Sequence, residues 1–327
     1  MQAIMQRIKP IGLDAMKSGG AKAWRASLLP VMGILCFLFA WQMLASQVQT
    51  SLGTLPGPLA TASQLWSLGQ EHLQEREKAA AFLERQQVRN AARLAADPAA
   101  EVKLRPYTGR PTFFDQIATS LLTVLCGFAL ATLIAIPCGV LLGMNQGLYR
   151  AANPVIQLLK PVSPLAWLPL ITLVVSALYA NPAPWLAKSF LTSALTVTLC
   201  SLWPTLINTA VGVAGLDGDL HNVSRVLRLS FVTHVRRIVL PGALPMIFTG
   251  LRLSLGVAWM VLIAAEMLAQ NPGLGKFVWD EFQSGGSASL ARIMVAVITI
   301  GLIGCALDRG MLALQQWLSW DKRQVLR

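Results

Sequence analysis

Two pairs of arginines, Arg225 with Arg228 and Arg236 with Arg237, fall in one stretch between apolar runs, HNVSRVLRLSFVTHVRRIVLPGALPMIFTGLRLSLGVAW from His221 to Trp259. Helical spacing puts Val223, Val226, Leu227 and Ser230 on one side of a short helix and Arg225 and Arg228 on the other. A helix of about ten residues is marginal alone in water. The chemistry of this stretch is therefore recognition: an apolar ridge with a basic flank asks for a partner to dock on it, and the cytoplasmic side of a membrane is where such a basic segment belongs.

Residues suited to covalent, redox or metal chemistry lack the necessary spacing. No G-x-x-x-x-G-K-[ST] phosphate loop occurs, so the chain is not expected to bind ATP itself. His72, His221 and His234 lie outside the apolar runs and show no metal spacing with cysteine or acid. Cys36, Cys126, Cys138, Cys200 and Cys305 all lie in or at the edges of apolar runs, where a small buried apolar role is the default. Neither a disulfide framework nor a redox motif emerges. The expectation is a subunit without catalysis, without a metal and without a cofactor of its own.

The elements that must position the basic stretch are membrane spans. Apolar residues make up 54% of the chain and charged residues only 13%, a composition of multi-spanning membrane proteins. A bilayer needs about 20 apolar residues per helix. Six stretches qualify or nearly do: Leu28 to Ser46, Ile117 to Met144, Leu165 to Tyr179, Leu186 to Leu206, Ile247 to Leu268 and Ile293 to Leu314. Lys9, Lys17, Lys22 and Arg25 precede the first, which places the amino terminus in the cytoplasm. Counting crossings then puts Arg150, Lys160, the arginine-rich stretch, Arg309, Lys322, Arg323 and Arg327 on the same side. The net charge of +12 follows from topology and anionic lipid, and nucleic acid is not an expected partner. The first run also permits a signal-peptide reading, with Met43 to Ser46 a weak cleavage context; an uncleaved anchor is favoured.

The expected organisation is a cytoplasmic segment 1–27, a first transmembrane helix 28–46, a periplasmic insertion 47–115, a five-helix core 116–314 with a cytoplasmic loop 208–245, and a cytoplasmic tail 315–327. Within the insertion, Glu71 to Ala96 has strong helical composition, ended by Asp97-Pro98. Leu73, Ala80, Leu83, Ala91 and Leu94 give it one modestly apolar stripe. A solvated or membrane-surface helix is the ordinary reading, and a landing platform for an external protein is the sharper one.

The arginine-rich stretch ends in Ile-x-Leu-Pro, here Ile238, Leu240 and Pro241, and at these residues it resembles the cytoplasmic coupling loop of ABC importer permeases. The usual loop opens with Glu-Ala-Ala and carries a Gly six residues after the Glu; here Asn222, Val223, Ser224 and Arg228 stand in those places. The run Asn222 to Ser230, with SPLAWLP from Ser163 to Pro169 and AAEMLAQNPGLG from Ala264 to Gly275, is similar to the nitrate/nitrite branch of these permeases. The resemblance spans roughly Ile117 to Leu314. It implies an all-α, type I importer fold of about six transmembrane helices in a bacterial inner membrane. It implies as partners cytoplasmic ABC ATPases that carry the ATP and Mg, a periplasmic or lipid-anchored binding protein, the lipid bilayer and a second permease copy. A homodimer is the simpler expectation.

On that resemblance the coupling surface comprises Asn222, Val223, Arg225, Val226, Leu227, Arg228, Leu229 and Ser230, with Ile238, Leu240, Pro241, Gly242 and Pro245 passing motion into the fifth span. Nitrate or nitrite is the expected cargo, with cyanate, bicarbonate, taurine and alkanesulphonates as relatives. An anion path needs positive charge or oriented donors. Candidates are Ser163 and Trp167 in the Pro-rich third stretch, Thr192, Ser193, Thr196, Trp203 and Asn208 in and beyond the fourth, and Arg252. Helix packing, and for Arg252 snorkelling, are the competing uses of these residues. Glu266 would repel an anion. With Asn271, Gly273 and Gly275 it is expected to shape an outer gate, its carboxyl accepting N–H bonds from the following turn, while Asp308 and Arg309 cap or pair locally. The rival class, an ion-gradient-driven carrier or an intramembrane enzyme, calls for buried ionisable residues at mid-membrane and, for a carrier, inverted repeats; neither accounts for the basic loop.

Overall fold

The computed structural model describes residues 13–50, 53–97, 102, 104–181, 183, 186–286 and 288–318. Lys9, Pro98, Lys322, Arg323 and Arg327, and the side chains of Lys17, Lys22, Arg25, His221 and Val223, lie outside the described residues. The protein is almost entirely helical. Helix α1 (Leu13–Gln47) leads through a two-stranded hairpin, β1 (Gln49–Thr50) and β2 (Gly53–Thr54), into α2 (Pro58–Ala96). Then come α3 (Phe113–Met144), α4 (Gln146–Leu159), α5 (Pro164–Leu178) and α6 (Lys188–Ala214). The short α7 (Gly218–Val226) and α8 (Phe231–His234) follow, with a π-helical turn Val235–Val239 running into α9 (Leu240–Ala269). The chain closes with α10 (Leu274–Ser284) and α11 (Ser289–Leu318).

Among the described residues, five helices are long and apolar enough to cross a membrane: Leu28–Gln47, Phe113–Met144, Lys188–Ala214, Phe231–Ala269 and Ser289–Leu318. The third expected stretch is a special case. Its helix α5 meets α4 at 99° across a break of a few residues, so the pair is either one broken span or a re-entrant loop. Pro154 and Pro169 sit inside the two helices, and the chain turns instead between Lys160 and Ser163. There Ser163 caps α5, accepting from Leu165 N at 3.3 Å, and Pro164 takes a first-turn position where no N–H is needed.

Helix α6 is the axis of the bundle, packed against α3 on one side and α9 on the other. Small residues make this possible, as is usual between helices in lipid. At Gly139 a Cβ would meet Thr209 Cβ at 2.6 Å, and at Gly250 it would meet the Thr205 backbone at 2.9 Å. Helix α1 stays peripheral, with its main contacts among the described residues to α2 and the hairpin, and its apolar side chains from Leu28 onward are largely exposed. All five cysteines lie in helices and none is fully buried; Cys36, Cys138 and Cys305 are exposed. The buried packing role expected of them is corrected for those three, whereas Cys200 packs against the core cluster of α3, α6 and α9 and Cys126 is half-buried.

The loop between the fourth and fifth spans is shorter than 208–245. Asn208 to Ala214 complete α6, and Phe231 to Pro245 already belong to the helical run that becomes α9. In the insertion, α2 begins at Pro58, well before Glu71, and ends at Asp97, whose N–H bonds the Arg93 carbonyl. The return segment packs back along it: Tyr107 donates to Glu75 at 2.7 Å, its ring lies 5.5 Å from Phe82, and His72 Nδ1 is 2.7 Å from Thr112 Oγ1. With its amide oriented to match, buried Gln86 donates to the Arg105 carbonyl (3.3 Å) and accepts from the Arg105 N–H (2.9 Å). The stripe Leu73, Ala80, Leu83, Ala91 and Leu94 does not make this contact. The buried face of α2 is Thr61, Leu68, Gln86 and Asn90, and Leu73, Leu83 and Leu94 are exposed.

Candidate coupling, path and gate sites

The arginine-rich stretch folds as two short helices joined by a left-handed residue. The α7 helix ends early because Arg228 adopts φ 47. Its N–H bonds the Arg225 carbonyl at 3.1 Å, and Leu229 N–H bonds the Ser224 carbonyl at 3.1 Å. That paired closure is a Schellman motif with Arg228 in the position usually given to Gly. Leu227 to Ser230 are thus not a continuation of the helix face that carries Val226, which corrects the single-helix reading of Val223 to Ser230. Asn222 accepts from Arg225 Nη2 at 2.7 Å, and Ser230 restarts the chain by accepting from Thr233 N at 3.4 Å.

The closure leaves apolar side chains unburied. Val226 is 82% exposed, Leu227 63%, Phe231 60% and Val232 70%, an apolar cluster flanked by Arg225 and Arg228. Phe231 and Val232 are additions to the sequence-derived surface; periodicity missed them because the turn at Arg228 resets the helical phase. Ile238 and Leu240 occupy the π-helical turn and its junction with α9, where the Leu240 N–H bonds the Val235 carbonyl five residues back. A wider turn just before Pro241 accommodates a ring that cannot donate to an ordinary helical ladder. Val239 is fully buried with Val140, Val213, Ala243 and Ile247, so the junction is seated on α3 and α6. Gly242 lies against Leu216.

At the opposite end of the bundle, Glu266 is fully buried in a polar cluster. Ser120 Oγ on α3 lies 2.9 and 2.8 Å from its two carboxyl oxygens, and Gly275 N–H donates to it at 3.0 Å. Leu274 N–H in turn donates to Ser120 Oγ at 2.8 Å. A carboxyl therefore caps the first turn of α10, the position where free N–H groups and the helix dipole favour it. Asn271 Nδ2 reaches Thr123 Oγ1 at 3.2 Å. A side chain on Gly273 would collide with the Glu266 carboxyl, and one on Gly275 with the Ile263 carbonyl. The chain leaves α9 through Gln270 at φ 55. Ser120 and Thr123 were not singled out from the sequence, yet their spacing from Gln116 marks one polar face on an otherwise apolar span.

The path candidates are spread over α5, α6 and α9. Thr192, Ser193 and Thr196 are buried in the α6 packing faces, where Thr196 bonds the Thr192 carbonyl at 2.8 Å. Thr205 N–H and Oγ1 both reach Ser254 Oγ on α9, at 3.0 and 2.7 Å. Asn208 turns back to the Pro204 carbonyl at 2.8 Å. Ser163 is exposed at the start of α5. Ser193 Oγ, Trp167 Nε1 and Trp203 Nε1 are buried donors without a partner among the described residues. Arg252 is not a free cation. Its guanidinium grips Asp308 of α11 with Nε–Oδ1 at 2.5 Å and Nη2–Oδ2 at 2.9 Å. Asp308, expected to cap or pair within its own helix, thus also bridges α11 to α9, and Arg252 meets a carboxylate there, because a guanidinium among apolar helices is stabilised most by a bidentate acid.

Apolar spans, a central helix packed through small residues and an apolar loop left unburied at one end describe a multi-span membrane protein. Residues 135–319 match the binding-protein-dependent transport system inner membrane component family, and the chain belongs to it. It is 35% identical to the bicarbonate transport system permease protein CmpB of Synechococcus elongatus over 314 residues, 93% of this chain and 95% of that one. It is 40% identical to the nitrate import permease protein NrtB of Synechococcus elongatus over 215 residues, covering 62% of this chain and 72% of the relative. Among solved structures, inward-facing MetNI methionine ABC transporter gives a TM-score of 0.49 at 16% identity, covering 61% of this chain and 95% of that one.

Proposed function

We propose that this chain is the membrane-spanning subunit of an ATP-driven importer for a small inorganic anion, nitrate or nitrite in the first instance. The observation that carries the coupling half of the reading is the exposed set Val226, Leu227, Phe231 and Val232 beside Arg225 and Arg228. In a cleft of a cytoplasmic ABC ATPase these side chains supply the apolar contact and the arginines the rim. ATP and Mg act on that partner. Nucleotide-driven closure pulls on the loop, and the Val239 cluster passes the displacement to α3, α6 and α9 together. Coupling requires contacts that differ between two states.

Unpartnered donors support an anion as cargo. The indole N–H groups of Trp167 and Trp203 and the hydroxyl of Ser193 offer hydrogen bonds without a fixed charge, which suits an ion that must bind and leave. Two copies in the inner membrane, each with its amino terminus in the cytoplasm, complete the path, and a periplasmic or lipid-anchored binding protein delivers the anion on the side of the Glu266 cluster. Bicarbonate is the second reading, favoured by alignment to a bicarbonate permease over nearly the whole chain, insertion included. Competition separates the two. In vesicles holding the assembled transporter, labelled nitrate uptake unaffected by excess bicarbonate supports nitrate; bicarbonate uptake with no nitrate uptake supports the second reading.

A further inference from the structure

We infer that the first half of α2 lies in the plane of the membrane, with Leu59, Leu65, Trp66 and Leu73 sunk into the lipid leaflet at the Glu266 end of the bundle. The chain's contacts fix the level of this helix. Its entry residue Gly57 lies against Gln42, near the end of the α1 span. Fifteen residues on, roughly 22 Å along a helix, His72 meets Thr112 at the cap of α3 and Arg76 pairs with Asp115 in its first turn. Between these points Leu68 joins the core beside Phe113, Phe277 and Val295. Glu71 grips Arg292 in the first turns of α11, at 2.8 and 3.1 Å. A helix whose start touches one span end and whose middle touches two others on the same side of the bundle runs along the boundary.

Its circumference divides three ways. The packed side carries Thr61, Leu68 and His72, and the polar side carries Ser63, Ser67, Gln70, Glu71 and Gln74. The remaining side is apolar and uncovered: Leu59 is 84% exposed, Trp66 72% and Leu73 64%. Leu65, Trp66, Gly69 and Leu73 border a groove of about 340 Å³ closed by Phe114, and a Cβ on Gly69 would meet open space. Because Phe113 and Phe114 begin an apolar span, this groove opens at the depth of the lipid boundary, and acyl chains are the occupant its walls fit. An amphipathic helix in that setting rests about 5–10 Å into the headgroup and acyl boundary, and a tryptophan belongs at that depth.

Spin labels on the full-length chain in proteoliposomes test this. Single cysteines in a cysteine-free background replace Leu59, Leu65 and Leu73 on one side and Ser63, Ser67 and Gln74 on the other. The expected result is a periodic pattern, with oxygen collisions dominating at the first three and a soluble nickel chelate dominating at the second. Chelate access at all six would overturn the inference, since the helix would stand in water. Access of neither quencher at 59, 65 and 73 would equally overturn it, since a second copy or another protein would then cover the face. A second measurement needs no cysteine-free chain: quenching by brominated lipid should fall when Trp66→Phe removes the interfacial indole, and unchanged quenching counts against lipid contact.

Discussion

Arg228 carries the largest local conformational cost in the coupling segment. A non-glycine residue in the left-handed region is disfavoured by about 1–2 kcal/mol, and the Schellman closure holds it there. Arg228→Gly should therefore raise thermal stability in detergent by an amount on that order; a lower melting temperature would show that the guanidinium makes compensating contacts in the assembly. Leu227→Asp acts differently, because Leu227 is exposed and its loss should leave the fold intact. The variant should insert normally while ATP-driven uptake and stimulated hydrolysis collapse, and unchanged transport would refute docking at this face. Glu75 gives a pH-dependent contact in the insertion: the Tyr107 hydroxyl, and secondarily Lys78, hold its carboxyl below the usual carboxylate range. A depressed folded-state value stabilises above the ordinary range and is lost as pH falls through the folded value. Protease cleavage in the 104–110 return segment should accordingly rise at acid pH, and Tyr107→Phe should flatten that dependence.

At the scale of elements, each of the two interhelical clusters carries its own prediction. Glu266→Ala removes the acceptor of Gly275 N–H and Ser120 Oγ inside the protein; each orphaned group costs about 1–3 kcal/mol. The α10 turn should loosen, read as lower melting temperature and faster hydrogen exchange at Leu274 and Gly275, whereas Glu266→Gln should retain most protection. Equal protection in all three proteins would remove Glu266 from the account of that turn. Asp308→Ala strands Arg252, and a lone guanidinium at a span centre costs about 2.5–3.5 kcal/mol on insertion scales. The effect here should be smaller because the pair is about two-fifths exposed. Arg252→Ala combined with Asp308→Ala should recover most of the loss; a double variant no better than Asp308→Ala would deny that the two act as a pair.

Spans were legible in the sequence because apolar runs of bilayer length have few alternatives, and the turn at Ser163 was legible as a cluster of prolines. What was not legible was nonlocal. Ser120 meets Glu266 across 146 residues, and Asp308 meets Arg252 across 56; no periodicity carries such pairings. The early end of α7 was missed for a different reason, since Arg228 is not a residue that announces a left-handed turn. Likewise a stripe from Leu73 to Leu94 was visible, but Leu59, Leu65 and Trp66 precede the stretch read as helical, and periodicity finds an apolar face without saying whether protein or lipid covers it.

At the scale of the whole molecule, the exposed loop at one end is seated by Val239 on the α3, α6 and α9 bundle, and under the proposed function it drives a path that ends beside the Glu266 cluster. On the proposed function, substrate choice and energy both enter through other chains. The most direct test is uptake of labelled nitrate by proteoliposomes that hold this chain with its ATPase and binding protein, with and without ATP on the loop side. The account predicts accumulation that requires ATP and both partners and vanishes with Leu227→Asp. Uptake driven by an ion gradient with neither partner present would contradict it.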